Sequence, residues 1–143
     1  MFNNLLIPID LSHQEQLPVL IRAALKLANE NGSTELNFVY VDDSRIHQGS
    51  FSPFDASQSS GRRHDIRDRM VALLRNLVPA DVHYRCHIKE GAIHEQVLEM
   101  SSDMTQAAIV LMASRPGLSS YFVGSNAERI VRHSQCSVFV VRE

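Results

Sequence analysis

Six consecutive apolar residues, Ala107 to Met112, are the feature that most restricts how this chain can fold. A short apolar run without polar alternation is typical of a strand covered on both faces, as in a parallel sheet. A loop follows, and Gly124–Ser125 then opens a segment whose apolar residues have helical spacing. The free amides and partial positive charge of a helix start favour an anion. The sequence thus predicts a strand, a loop and an anion-binding helix start.

The remainder of the 143 residues alternates strand-like and helix-like segments, and 44% apolar residues suffice for a substantial core. Five strands alternating with helices predict a single α/β domain, 1–143, with a doubly wound parallel sheet and helices on both faces. The predicted strands are Asn3–Ile9, Leu36–Val41, Val82–Ile88, Ala107–Met112 and Ser137–Val141, and the predicted helices begin near Glu15–Leu17, at Arg62, after Gly91 and at Gly124.

Residues 42–61 are rich in Ser, Gly, Asp and Pro, and we expect them to form a flexible loop. The predicted helix that follows, 62–78, carries five arginines, which could indicate a phosphate or nucleic-acid site. Because Asp65 and Asp68 lie among these arginines, a solvated helix face is the preferred interpretation.

The formal net charge is −2, and no stretch concentrates Lys and Arg, which disfavours nucleic-acid binding. No apolar run approaches the ~20 residues that a membrane-spanning helix requires. The first residues enter a predicted strand without a basic leader, so we expect a cytoplasmic protein. The two cysteines lie far apart and form no disulfide framework.

His83, Cys86 and His87 lie close together in sequence and could suggest a metal site. In a strand, however, successive side chains alternate between faces, so Cys86 faces away from both histidines. The two histidines are then ~13 Å apart along the strand. We therefore predict no metal site here, and we expect His94, in the first turn of the next helix, to be exposed.

Catalytic motifs are missing from the sequence. There is no GxxxxGK[ST] loop, no GxSxG motif, and no Cys/His pair placed for nucleophilic catalysis. The sequence contains no clear candidate for a general base, so we predict no catalytic residues. A slow ATPase is the least favoured functional class.

The opening LLIPIDLS, the segment from 107 to 134 and the ending CSVFVVRE together resemble the universal stress protein family. In its nucleotide-binding members the loop before the helix reads Gly, two residues, Gly, nine residues, then Gly-Ser or Gly-Thr. This chain keeps Gly124–Ser125. Ala113 and Ser114 stand at the front of the loop, Arg115–Pro116 replaces the second glycine, and the loop is two residues shorter. Some members of the family carry such an Arg-Pro loop.

The resemblance implies the strand order 3-2-1-4-5 and a stress-response regulatory module that binds ATP, ADP or AMP, with any Mg²⁺ held through the phosphates. In that order a crevice opens at the carboxyl ends of strands 1 and 4. The positions matched to the nucleotide site are Ile9, Asp10, Val41, Met112, Ala113, Ser114, Arg115, Gly124, Ser125 and Asn126.

Several roles follow from the same matching. Asp10 corresponds to the acidic residue that contacts adenine or ribose, and the backbone of Val41 to the group that pairs with the adenine edge. Gly124 to Asn126 correspond to the phosphate-binding helix start. Two questions stay open: Asp10 also fits a turn that caps the following helix, and Ser114 and Arg115 fit either a phosphate contact or an exposed loop.

The final strand, Ser137–Val141, is short and apolar, which makes it a liability if its edge stays exposed. Pairing with the same strand of a second subunit would cover it, and the resemblance implies such a homodimer. The alternative is a twisted edge shielded by the two residues that follow. A dimeric interaction protein of the same fold that binds no nucleotide is the alternative function.

Overall fold

The computed structural model describes residues 1–44, 56–113 and 124–142. Strands and helices alternate along the described chain, and a 3₁₀ turn, Gln14–Gln16, precedes the first helix. The strands are β1 (Asn4–Pro8), β2 (Glu35–Asp42), β3 (Tyr84–Glu90), β4 (Ala107–Met112) and β5 (Ser137–Val141), and the helices are α1 (Leu17–Leu27), α2 (Ala56–Leu77), α3 (Ile93–Ser102) and α4 (Gly124–His133).

The five strands form one parallel sheet in the order β3-β2-β1-β4-β5, which confirms the predicted fold class and strand order. Strand β1 lies between β2 and β4, and all strands end at the same side of the sheet, here called the carboxyl edge. The opposite side is the amino edge. The loops that follow β1, β2 and β4 therefore start next to one another, which is the usual ligand position in such sheets.

Helices cover both faces of the sheet. Helices α1 and α2 pack on one face, against residues such as Ile7, Phe38 and Val110. Helices α3 and α4 pack on the other, against residues such as Val39 and Ile109. All six residues of β4 are buried because this strand is covered on both faces, and each fully buried aliphatic side chain contributes about 1.5–3 kcal/mol.

Helix α2 begins at Ala56, six residues before the predicted start, so the expected loop over 42–61 was wrong at both ends. Asp42 belongs to β2, and residues 56–61 are helical. Residues 45–55 lie outside the described part. Once a long helix is nucleated, extending it costs little even through serines and Gly61, which explains the earlier start.

Strands β4 and β5 and helix α4 have the predicted bounds. Strand β3 instead runs two residues further than predicted, because Lys89 and Glu90 pair with Val41 and Asp42 of β2. The added ladder brings polar residues to the carboxyl edge. Within the described chain, no helix is long and apolar enough to cross a membrane.

Candidate functional site

Two buried aspartates occupy the carboxyl edge at the ends of neighbouring strands. Asp10 follows β1 and Asp42 ends β2, and each is only 7% exposed. One oxygen of each carboxylate accepts a backbone N–H two residues onward, from Ser12 at 2.9 Å and from Ser44 at 3.1 Å. These short turns fix both carboxylates where the strands end.

Asp10 therefore lies at the predicted edge and also has a turn role. Its Oδ1 serves the turn through Ser12, and its Oδ2 lies 4.0 Å from Nε2 of His13. The interpretation of Asp10 as a turn residue is therefore confirmed. Helix α1 begins further along the chain, at Leu17, and its N-cap residue Gln16 makes no side-chain cap.

Asp42 forms an ion pair with Arg62 of α2. The Nε atom of Arg62 donates to Oδ2 at 2.7 Å, and Nη2 donates to Oδ1 at 3.4 Å. Burial alone would raise the pKa of Asp42, but the hydrogen bonds from Ser44 and the charge of Arg62 outweigh burial and lower that pKa. The carboxylate is therefore held ionised beside a guanidinium.

Two further arginines of α2 reach the same edge. Arg63 lies 3.6 Å from Glu90 at the end of β3, and Arg69 donates to the carbonyl of Leu11 at 2.8 Å. The α2 arginines are exposed, as the interpretation of a solvated face predicts, but Arg62, Arg63 and Arg69 also contact groups at this edge. The topology offers a signal, because a helix that follows β2 in a parallel sheet starts near the carboxyl edge.

Tyr40 is half-buried near these carboxylates. Burial raises the pKa of its hydroxyl, and the negative charges of Asp42, Asp43 and Asp10 raise it further, while Arg62 opposes them. Around Tyr40, three carboxylates therefore act against one guanidinium. Such surroundings suit hydrogen-bond donors of a ligand better than they suit its phosphates.

The side chains of Ile9, Val41 and Met112 are buried in the core, at 1%, 0% and 6% exposure. Ile9 and Met112 face α1 and α2, whereas Val41 faces α3 and α4. These three residues can therefore offer a ligand mainly their backbone atoms, which is the role matched to Val41. Ala113 follows β4, and its N–H donates to the carbonyl of Val141 at 2.8 Å.

The start of α4 lies on the α3 side of the sheet. Ser125 is exposed, Asn126 is half-buried, and Oδ1 of Asn126 lies 3.4 Å from Nδ1 of His94 in the first turn of α3. The expectation that His94 is exposed was wrong, since it is half-buried against α4. The predicted residues Ser114 and Arg115 lie outside the described residues.

Gly91 lies between β3 and α3 in the chain, and it also contacts the end of β2. Its N–H donates to the carbonyl of Asp42 at 3.1 Å, and its φ of +135° is a conformation that favours glycine. A Cβ at this position would lie 3.1 Å from Nε2 of Gln96. The sequence indicated a turn at Gly91 but not this contact.

The structure thus brings Asp10, Val41, Ala113 and the start of α4 to one edge. Three residues that were not predicted as site residues lie at the same edge: Asp42, Arg62 and His94.

A cavity of about 680 Å³ lies at the opposite, amino edge, and no predicted site residue lines it. Its lining includes Glu99, Gln106, His133 and Cys136. In the described ranges, no three His, Cys, Asp or Glu side chains converge as a metal site.

Comparison with known proteins gives concordant results. The model of the universal stress protein family matches residues 1–142. Universal stress protein G of Escherichia coli O157:H7 is 22% identical over 142 residues, which cover 99% of this chain and 100% of the relative. The solved structure of hypothetical protein MJ0577 has a TM-score of 0.77 at 19% identity, covering 100% of this chain and 97% of the other. A universal stress protein in complex with cAMP has a TM-score of 0.60 at 15% identity, covering 99% and 97%.

Proposed function

Since the chain belongs to the universal stress protein family, we propose that it is a cytoplasmic stress-response module that binds an adenine nucleotide at its carboxyl edge. The observation that carries the proposal is the placement of Asp10, the end of β2 and the start of α4 at one edge of the sheet. A related protein solved with cAMP supports a nucleotide as the ligand.

The charges at the edge favour one orientation of the ligand. The acidic groups Asp10 and Asp42 stand over β1 and β2, where the base and ribose would offer hydrogen-bond donors. The phosphates of ATP, ADP or AMP would lie at the start of α4, where Gly124 permits close approach and the first amides of a helix have no intrahelical partner. Any Mg²⁺ would be bound through the phosphates.

The outer strand β5 supports a homodimer. Val140 on β5 is 41% exposed and Val131 on α4 is 51% exposed, and both line a cavity of about 500 Å³ that also includes Ala113. An exposed apolar edge strand is stabilised by pairing with another strand. We therefore propose that two copies associate through Ser137–Val141.

The second candidate is an interaction protein that binds no nucleotide. The observation that favours it is Ala113, which stands where nucleotide-binding relatives carry the first glycine of the loop. A Cβ at that point restricts how closely backbone amides approach a phosphate. Under this alternative the β5 surface, rather than the carboxyl edge, performs the function.

Native mass spectrometry of protein freshly purified from cells separates the two candidates. Co-purified ATP, ADP or AMP, released on denaturation at up to one equivalent per subunit, supports the nucleotide module. Unliganded protein that also fails to take up added nucleotide in calorimetry supports the interaction protein. Turnover that survives further purification and is abolished by changes at Asp10 and Ser125 would instead favour an ATPase.

A further inference from the structure

We propose that His94 positions the side-chain amide of Asn126 so that its N–H donors face the ligand phosphates. This inference rests on the proposed function, and it concerns two residues in the first turns of α3 and α4.

The chemistry of the contact determines which ring nitrogen donates. The Nδ1 atom of His94 lies 3.4 Å from Oδ1 of Asn126, and an amide oxygen can only accept a hydrogen bond. Nδ1 must therefore carry the proton. With Oδ1 facing His94, the Nδ2 group of Asn126 points away from the imidazole with both of its hydrogens.

Those two hydrogens are available to a ligand. Among the residues that the structure describes, Nδ2 of Asn126 has no hydrogen-bond partner, although the residue is half-buried. It lies one residue after Ser125, at the helix start where the phosphates are proposed to lie. A neutral amide donor there complements the backbone amides of the same turn.

The two helices hold this contact rigidly. Ile93 and Val97 of α3 and Ile130 of α4 are buried in one apolar cluster on the same face of the sheet. The core therefore fixes the distance between the helix starts before a ligand arrives, and a donor held in place costs less entropy on binding.

The acidic residue of α4 nearest in sequence to Asn126 is Glu128, and its charge does not repel a phosphate at the helix start. Glu128 is exposed and accepts a hydrogen bond from Arg132, one turn further along the helix, at 2.8 Å. Glu95, next to His94, is likewise exposed. Neither carboxylate is part of the contact between His94 and Asn126.

The test compares ATP and adenosine binding by calorimetry in wild type, His94→Phe, His94→Asn and Asn126→Ala. Phenylalanine keeps the ring but removes the donor, whereas asparagine places an amide nitrogen near the position of Nδ1. We expect His94→Phe and Asn126→Ala each to weaken ATP about fivefold and to leave adenosine unchanged, since one hydrogen bond contributes about 1 kcal/mol. His94→Asn should restore most of the ATP affinity.

The double variant His94→Phe/Asn126→Ala should be no weaker than Asn126→Ala alone, because both changes remove one unit. Equal ATP affinity in wild type and His94→Phe overturns this inference but not the proposed function. Equal weakening of ATP and adenosine also overturns it, since that result indicates a general packing defect. If wild type binds neither ligand, the proposed function fails and this inference fails with it.

Discussion

The Nε2 atom of His87 lies 3.0 Å from Oδ1 of Asn37, on the neighbouring strand and facing the same side of the sheet. Asn37 is only 3% exposed, and its Nδ2 lies 3.4 Å from Oδ1 of Asn4 on β1. Asn4 in turn donates to the carbonyl of Thr105 at 3.0 Å. A chain of polar side chains therefore crosses three strands of the sheet.

This chain predicts a pH-dependent stability. Burial lowers the pKa of His87 below its ordinary value of 6.5, and the charges of Lys89 and Arg85 lower it further. Above pH 6.5 the ring is neutral in both the folded and the unfolded state. Below that pH the unfolded state binds the proton first, so the free energy of unfolding should fall until the folded pKa is passed.

Urea denaturation in steps below pH 8 measures this effect. His87→Gln keeps an N–H donor but does not titrate, and it should remove the His87 contribution to the slope. The matched control is His64→Gln, which replaces an exposed histidine of α2 in the same way. Equal slopes in wild type and His87→Gln would contradict the prediction.

Gly91→Ala should destabilise the protein by about 1–3 kcal/mol, since a φ of +135° strains any residue with a Cβ. The new methyl would also lie 3.1 Å from the side chain of Gln96, which can move. Thermal and urea unfolding measure the change.

The control is Gly61→Ala in α2. Nothing lies within 4 Å of a Cβ at this position, and the change should stabilise the helix by up to about 1 kcal/mol. A neutral Gly91→Ala would show that this backbone conformation is not required.

Gly124→Val should reduce ATP affinity about tenfold or more while the fold persists, because the side chain blocks close approach of the phosphates to the helix start. Gly61→Val serves as the matched control, as a second helical glycine, because α2 packs on the opposite face of the sheet from α4. Calorimetry with ATP and circular dichroism check affinity and fold. Full ATP affinity in Gly124→Val would exclude the start of α4 as the phosphate site.

Asp10→Ala and Ser125→Ala should differ in their effect on adenosine. Asp10→Ala should weaken adenosine and ATP alike, whereas Ser125→Ala should weaken ATP by about fivefold and spare adenosine, because the serine hydroxyl contacts only phosphate. Titration of each variant with both ligands provides the measurement. The reverse pattern would invert the proposed orientation of the ligand.

Val140→Asp should convert the proposed dimer to monomer, because the new charge would be buried without a partner. Sedimentation velocity at several concentrations measures the change. Lys89→Asp, on the opposite outer strand β3, is the control and should leave the association state unaltered. A dimer that persists in Val140→Asp would place the interface elsewhere.

The elements that follow from local pattern were predictable from the sequence. The unbroken apolar run gave β4 and the Gly-Ser pair gave the start of α4, both with the observed bounds. The contacts of Arg62 and His94 were not predicted because their partners, Asp42 and Asn126, lie 20 and 32 residues away in sequence. Such contacts depend on how helices cross the sheet, which local periodicity does not contain.

The pair between Asp42 and Arg62 has a mechanical consequence. It joins the last residue of β2 to the seventh residue of α2, so the strand and the helix are held together at this point. Closing a loop with anchored ends costs free energy that grows only slowly with its length. Residues inserted between Asp42 and Arg62 should therefore lower the free energy of unfolding only slightly.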